Sequence, residues 1–214
     1  MNAETPQASH GPLLPTRLLA TWAGLLAAAL AVGIGLGVEG VDYPTPFAIA
    51  HALRLLVGAE LFFVLVIVPI LAQPPRLADL LLLLCLGAPA VVVAAWVSDA
   101  TLWQALASQA YLVAAALFVA ALLRTGRDLG WYWVALGALG AGGPFVAFIV
   151  EDLLKARVGW LYAASPFWVA DRLCRAEGFG WDSAAPVAAL LVAAAALAAL
   201  RRRRDRRYTM SERR

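Results

Sequence analysis

Six apolar runs separated by short polar breaks dominate this 214-residue chain: Leu18–Val38, Leu55–Ala72, Leu77–Val97, Leu102–Leu123, Trp131–Val150 and Ser183–Leu200. About 20 apolar residues in a helix cross the roughly 30 Å hydrocarbon layer of a bilayer. Lipid supplies no partner for backbone N–H and C=O groups, so only helices or closed barrels cross it. These runs are too long and too evenly apolar for barrel strands. The expected fold class is an all-α integral membrane protein with six transmembrane helices. Composition agrees: 63% of residues are hydrophobic and 14% charged, against roughly a quarter charged in soluble domains.

The net charge of +3 conceals where the charge sits, because eight of the 17 basic residues follow Leu200. Residues 1–15 form a polar N-terminal tail without the basic start of a signal peptide, so the first run is expected to stay as a span. The spanning domain then covers residues 16–200 and a basic tail covers 201–214. With the N-terminus inside, the inner side collects Arg17, Arg76, Arg124, Arg127 and the tail arginines, twelve cations against four in the outer loops. By the positive-inside rule both termini are cytoplasmic, in the cell's inner (plasma) membrane. The tail also suits anionic lipid headgroups. A nucleic-acid partner is not expected, since no folded basic face with interleaved aromatics accompanies the arginines.

The long outer loop, residues 151–182, carries Trp160, Tyr162, Trp168 and Trp181, aromatics suited to the headgroup layer. Ser165 followed by Pro166 has the form of an N-cap and a first-turn proline. Phe167, Ala170 and Leu173 or Cys174 then recur at helical spacing, with Asp171 and Arg175 expected to face away. This predicts a short amphipathic helix over about 166–176, with Ser165, Pro166, Phe167 and Trp168 at its start, lying on the outer interface or dipping into it. Its role is either an anchor for the sixth span or part of a site.

His51, Arg54 and Glu60 are the ionisable residues at or within the second run, and intramembrane charges often mark a pathway or a buried pair. At 100° per residue His51 and Arg54 share a face, whereas Arg54 and Glu60 lie about 120° apart. Glu60 therefore needs a partner from another helix. Two readings stand: a substrate or proton role for Glu60, or a structural one with Arg54 snorkelling to the surface.

Gly33 and Gly37 have the spacing that lets two helices approach closely. Gly137, Gly140, Gly142 and Gly143 crowd the fifth run just before Pro144, which permits tight packing and a kink. Cys85 and Cys174 belong to no ligand-spaced cluster. With two histidines, no metal or haem site is expected, and no serine-nucleophile elbow is present. No cofactor and no catalytic residue are expected.

Several of these features fall in a suggestive order between Leu83 and Trp168: Pro89 in the third run, the short outer loop Ser98–Thr101, the end of the fourth run at Arg124, Gly143-Pro144-Phe145, and Ala164-Ser165-Pro166-Phe167. A basic end follows the sixth run. This order resembles the membrane (permease) subunit of ABC-2-type transporters, less than half the chain carrying the likeness. The resemblance implies six helices per half, a separate ATPase subunit that hydrolyses ATP, and dimerisation with a second half, like or unlike. It also implies a cytoplasmic docking segment between the second and third spans, which by position is Pro74, Pro75, Arg76 and Asp79. Family members usually carry an acidic–basic pair with a glycine–threonine there, and this chain does not. A reading of another class is a scaffold or assembly subunit of a larger membrane complex, with no path of its own.

Overall fold

Every long apolar run winds into a helix, the one single-stranded solution that pairs its own backbone without water. The structure, a computed structural model, describes residues 15–38, 51–71, 76–125, 129–155, 158–175 and 180–211, and all regular structure among them is helical. In chain order we name α1 (Thr16–Val38), α2 (His51–Ile70), α3 (Leu77–Val97) and α4 (Leu102–Leu123). There follow α5, built from Gly130–Gly137, Ala138–Gly142 and Gly143–Leu154, then α6 (Gly159–Ala164), α7 (Pro166–Leu173) and α8 (Trp181–Ser211). Six of them, α1 to α5 and α8, are long and apolar enough to cross a membrane. The chain is thus a multi-pass, all-helical membrane protein.

Local chemistry sets the helix ends. At α4, Thr101 Oγ1 accepts from Gln104 N at 3.3 Å while Gln104 Oε1 accepts from Thr101 N at 2.8 Å, a reciprocal capping box. At α3, Asp79 Oδ2 accepts from Arg76 N at 3.0 Å. At α7, Ser165 Oγ accepts from Trp168 N at 3.4 Å, with Pro166 in the first turn.

α2 and α4 form the centre: 56% of the residues in each spanning stretch are buried, against 11% for α5 and 6% for α8. Leu56, Val57 and Leu61 of α2 meet Leu112, Ala116 and Val119 of α4 in the core, all fully buried. α1 packs along α2, α3 lies against both α2 and α4, and α8 runs beside α4. Close approach of α1 and α2 depends on Gly33, where a β-carbon would stand 2.7 Å from the Ala52 Cα.

Two helices each contain one widened turn, and each turn ends at a proline. In α2 the Val68 N–H reaches back five residues to the Phe63 carbonyl, just before Pro69. In α5 the Gly143 N–H reaches the Ala138 carbonyl, just before Pro144. Proline has no N–H for the carbonyl four residues back, so Leu65 and Gly140 each lose a helical partner. Both find a hydroxyl instead. Tyr132 donates to Leu65 O at 2.6 Å and Ser165 donates to Gly140 O at 3.1 Å. Two glycines of the fifth run serve this docking: Gly140 lies under the Phe167 ring and Gly143 under the Leu161 carbonyl, where β-carbons would stand 3.4 Å away.

The segment between α5 and α8 is thereby a helical hairpin, α6 then α7, where the sequence predicts only the second helix. Its apex reaches far along the bundle. Gly140 lies roughly 20 Å before the end of α5 at 1.5 Å per residue, and Tyr111, which donates to Pro166 O at 3.3 Å, lies roughly 14 Å into α4. α7 packs against α2 and α4 as well as the widened turn of α5.

Candidate functional site

Two polar clusters interrupt the apolar interior, and they divide the residues expected to act together. Arg54 and Glu60 are both on α2, about 9 Å apart along its axis. The helix starts at His51, which is half-buried at that end.

The inner cluster surrounds Glu60, which is fully buried. Its partner from another helix is Gln109 of α4, whose Nε2 donates to Glu60 Oε2 at 3.4 Å. The other oxygen, Oε1, is buried without a hydrogen-bond partner, as is Trp22 Nε1 on α1. Gly87 of α3 closes the cluster: a β-carbon there would overlap Glu60 Oε1 and stand 3.2 Å from Trp22 Cζ2. Four spanning helices thus converge on one carboxyl group. A single long donor compensates little of the cost of burying it, which is several kcal/mol for a polar group in apolar surroundings.

The outer cluster lies where the start of α2, the α3–α4 turn and the end of α7 meet. Asp171 receives two guanidinium groups: Arg54 Nε stands 3.6 Å from Oδ1, and Arg175 donates to Oδ2. Asp171 is therefore turned toward α2, not away from the protein as expected. Helical spacing gave α7 its apolar stripe, but the helix is packed on several sides, so its polar face also meets protein. Arg54 is ion-paired inside the fold and does not simply snorkel. Next to it, Ser98 Oγ accepts from Leu53 N at 3.0 Å and donates to Ala94 O at 2.5 Å, which pins the α3–α4 turn to α2. Asp99 takes the left-handed conformation at φ 51° to complete that turn. Cys174 Sγ contacts Ser108 Oγ at 3.4 Å, and burial pushes the thiol up to about 11. Arg54, Ser98, Asp99, Gln104, Cys174 and Arg175 border a pocket of about 250 Å³.

Compared with protein-family models, curated proteins and solved structures, this chain matches none. Its own geometry therefore bears the functional argument.

Of the segment expected to dock an ATPase, Pro74 and Pro75 lie outside the described residues. Arg76 is exposed, and Asp79 is occupied as the cap of α3. Of the four residues at the start of α7, Ser165 is fully buried at the hairpin apex and Pro166 and Phe167 are half-buried. Trp168 is 43% exposed and lies beside Tyr162, ring centroids 4.5 Å apart. Sequence reasoning missed Trp22, Gly87 and Gln109 as neighbours of Glu60. The available signal was an amide at mid-run, Gln109 beside Ser108, in an otherwise apolar stretch. A lone glycine in a leucine-rich helix gives no comparable signal.

Proposed function

We propose that this chain is the membrane-spanning, permease-like subunit of an ABC-2-type transporter. In this reading it sits in the inner (plasma) membrane with both termini cytoplasmic, and pairs with a second half, like or unlike, and a separate ATPase. ATP is hydrolysed in the partner, and this chain contributes half of a translocation path for a substrate not yet identified. The observation that supports the reading best is the α6–α7 hairpin between the fifth and sixth spanning helices, seated against α2, α4 and α5. Short re-entrant or interfacial helices at that position are what the family resemblance implies. Fold-level likeness is an analogy of arrangement and leaves the activity to be tested.

A second reading, a scaffold or assembly subunit, has its own support. α5 and α8 leave much of their apolar surface exposed, including Phe145, Phe148 and Val192. That surface suits another membrane subunit as well as it suits lipid.

The deciding experiment is mild detergent extraction of the N-terminally tagged chain and identification of its partners. A stoichiometric ATP-binding subunit, released by Arg76→Glu, is the expected result. Arg76 is the residue to change because Asp79 caps α3, and altering it would disturb the helix itself. An ATPase that stays bound in Arg76→Glu overturns the docking assignment. Recovery of other membrane subunits without an ATPase overturns the transporter reading in favour of the scaffold. Glu60→Gln separates the two further: a proton- or cation-linked path is impaired by it, whereas a scaffold tolerates it.

A further inference from the structure

Among the described residues, Glu60 is the one carboxyl that is fully buried, and it lies near the middle of α2. Its surroundings suit a neutral acid better than an anion. A carboxylate only accepts hydrogen bonds, and its two oxygens offer about four lone-pair sites. Here Oε2 has one donor, Gln109 Nε2, at 3.4 Å, longer than the usual N–H···O range of about 2.7–3.2 Å. Oε1 has none. It is pressed against Gly87, with the Trp22 ring on the same glycine, and Trp22 Nε1 is itself buried without an acceptor.

Among the described residues no cation faces this carboxyl. α2 packs against α1, α3, α4 and α7, and the titratable groups of each are placed elsewhere. Arg17 is exposed at the start of α1. On α3, Asp79 caps the first turn and Cys85 is exposed. Tyr111 of α4 donates to Pro166 O, and Tyr132 of α5 donates to Leu65 O. On α7, Asp171 pairs with Arg54 and Arg175, and Arg172 shares a pocket wall with Trp168 and Trp181. Along α2 itself, Arg54 is about 120° around the helix from Glu60, and His51 lies at the helix start. A metal cation would need several ligands, and among the described residues no three histidine, cysteine or carboxylate side chains stand together to hold one. A proton needs one carboxyl.

We propose that Glu60 is a proton-binding site, and that α1, α3 and α4 close around it in the protonated form. The proton is taken up from water and returned to it. Its release leaves a charge without a counterion between four helices. Water then enters, or the helices part at Gly87, where α3 touches the carboxyl. The inference rests on this cluster alone, so it holds for a transporter subunit and for a scaffold.

The test is infrared difference spectroscopy of the full chain in phosphatidylcholine vesicles at mildly acidic, neutral and mildly alkaline pH, with Glu60→Gln beside it. A neutral carboxylic acid has a carbonyl stretch well separated from the bands of a carboxylate. Such a band is expected in the wild type at neutral pH, fading as the pH rises, and absent from Glu60→Gln. Gln109→Leu should shift the band, because the carboxyl loses its hydrogen bond, and this variant identifies the band even where Glu60→Gln folds poorly. A wild type without the band at neutral pH overturns the proposal. So does a band that survives in Glu60→Gln or stays in place in Gln109→Leu. Thermal unfolding in detergent tests the closure. A glutamate of the unfolded chain is ionised at neutral pH, so the folded chain holds one proton more and loses stability as the pH rises. The wild-type Tm is expected to fall across this range more than that of Glu60→Gln, whose amide does not titrate. Parallel profiles of the two proteins overturn the link between proton and packing.

Discussion

Ser165 Oγ donates to the Gly140 carbonyl at 3.1 Å, the carbonyl that Pro144 cannot serve four residues on. The same bond ties the hairpin apex to the middle of α5, so one hydroxyl both repairs a helix and seats a segment. Tyr132 does the equivalent for Leu65 and Pro69 of α2. Membrane helices tolerate proline when neighbouring groups satisfy the freed carbonyl, and here each neighbour comes from a distant stretch of chain.

Ser165→Ala should therefore lose a buried hydrogen bond and the cap of α7 together, about 2 kcal/mol from the two effects. In a Pro144→Ala background the helix regains its own N–H donor. The same serine change should then cost only the cap, about 1 kcal/mol. Thermal unfolding in detergent of the four variants of this cycle measures the difference. Equal costs in the two backgrounds would show that Ser165 does not answer Pro144.

Gly87 faces the Glu60 carboxyl so closely that no β-carbon fits between them. Gly87→Ala should destabilise the bundle by about 1–3 kcal/mol, the usual cost of overpacking a well-filled core. Glu60→Ala removes the obstructing oxygen, so the double variant should recover much of that loss. The recovery is measured as a coupling energy in a double-mutant cycle. An additive result would mean that the two residues do not meet as described.

The sequence made the six spanning helices legible because the bilayer allows a 20-residue apolar run almost no other structure. The N-cap at Ser165 was legible too, since Ser followed by Pro has a local cause. What lay beyond reach depended on contacts between distant segments. Pro69 and Pro144 marked disturbed helices, but nothing local named Tyr132 or Ser165 as the groups that repair them. Glu60 announced its need for a partner on another helix, and Gln109 fills that role at 3.4 Å. Asp171 was misjudged because an amphipathic pattern orients a helix only when one side is solvent or lipid. α7 has protein on several sides, and its carboxylate turns inward to Arg54.

That Asp171–Arg54 pair has a measurable consequence at the neighbouring thiol. Asp171 holds the end of α7 against α2 through Arg54, with Arg175 on its other oxygen. Cys174, three residues on, is 5% exposed, and burial pushes its thiol up to about 11. The thiolate is the reactive form, so at neutral pH Cys174 should label very slowly with a maleimide, and labelling should quicken as the pH rises toward 11. Asp171→Ala removes the carboxylate that both guanidiniums share. Its cost should fall between that of an exposed pair and a buried one, about 1–3 kcal/mol, and should appear as easier local opening of α7. Each 1.4 kcal/mol is tenfold in the open population, so labelling of Cys174 should speed up by about fivefold or more. The comparison is made in a Cys85→Ser background, because Cys85 is exposed and would mask the signal. An unchanged rate would mean that the ion pair does not hold this end of the hairpin, and that packing of Val169, Ala170 and Leu173 alone keeps α7 in place.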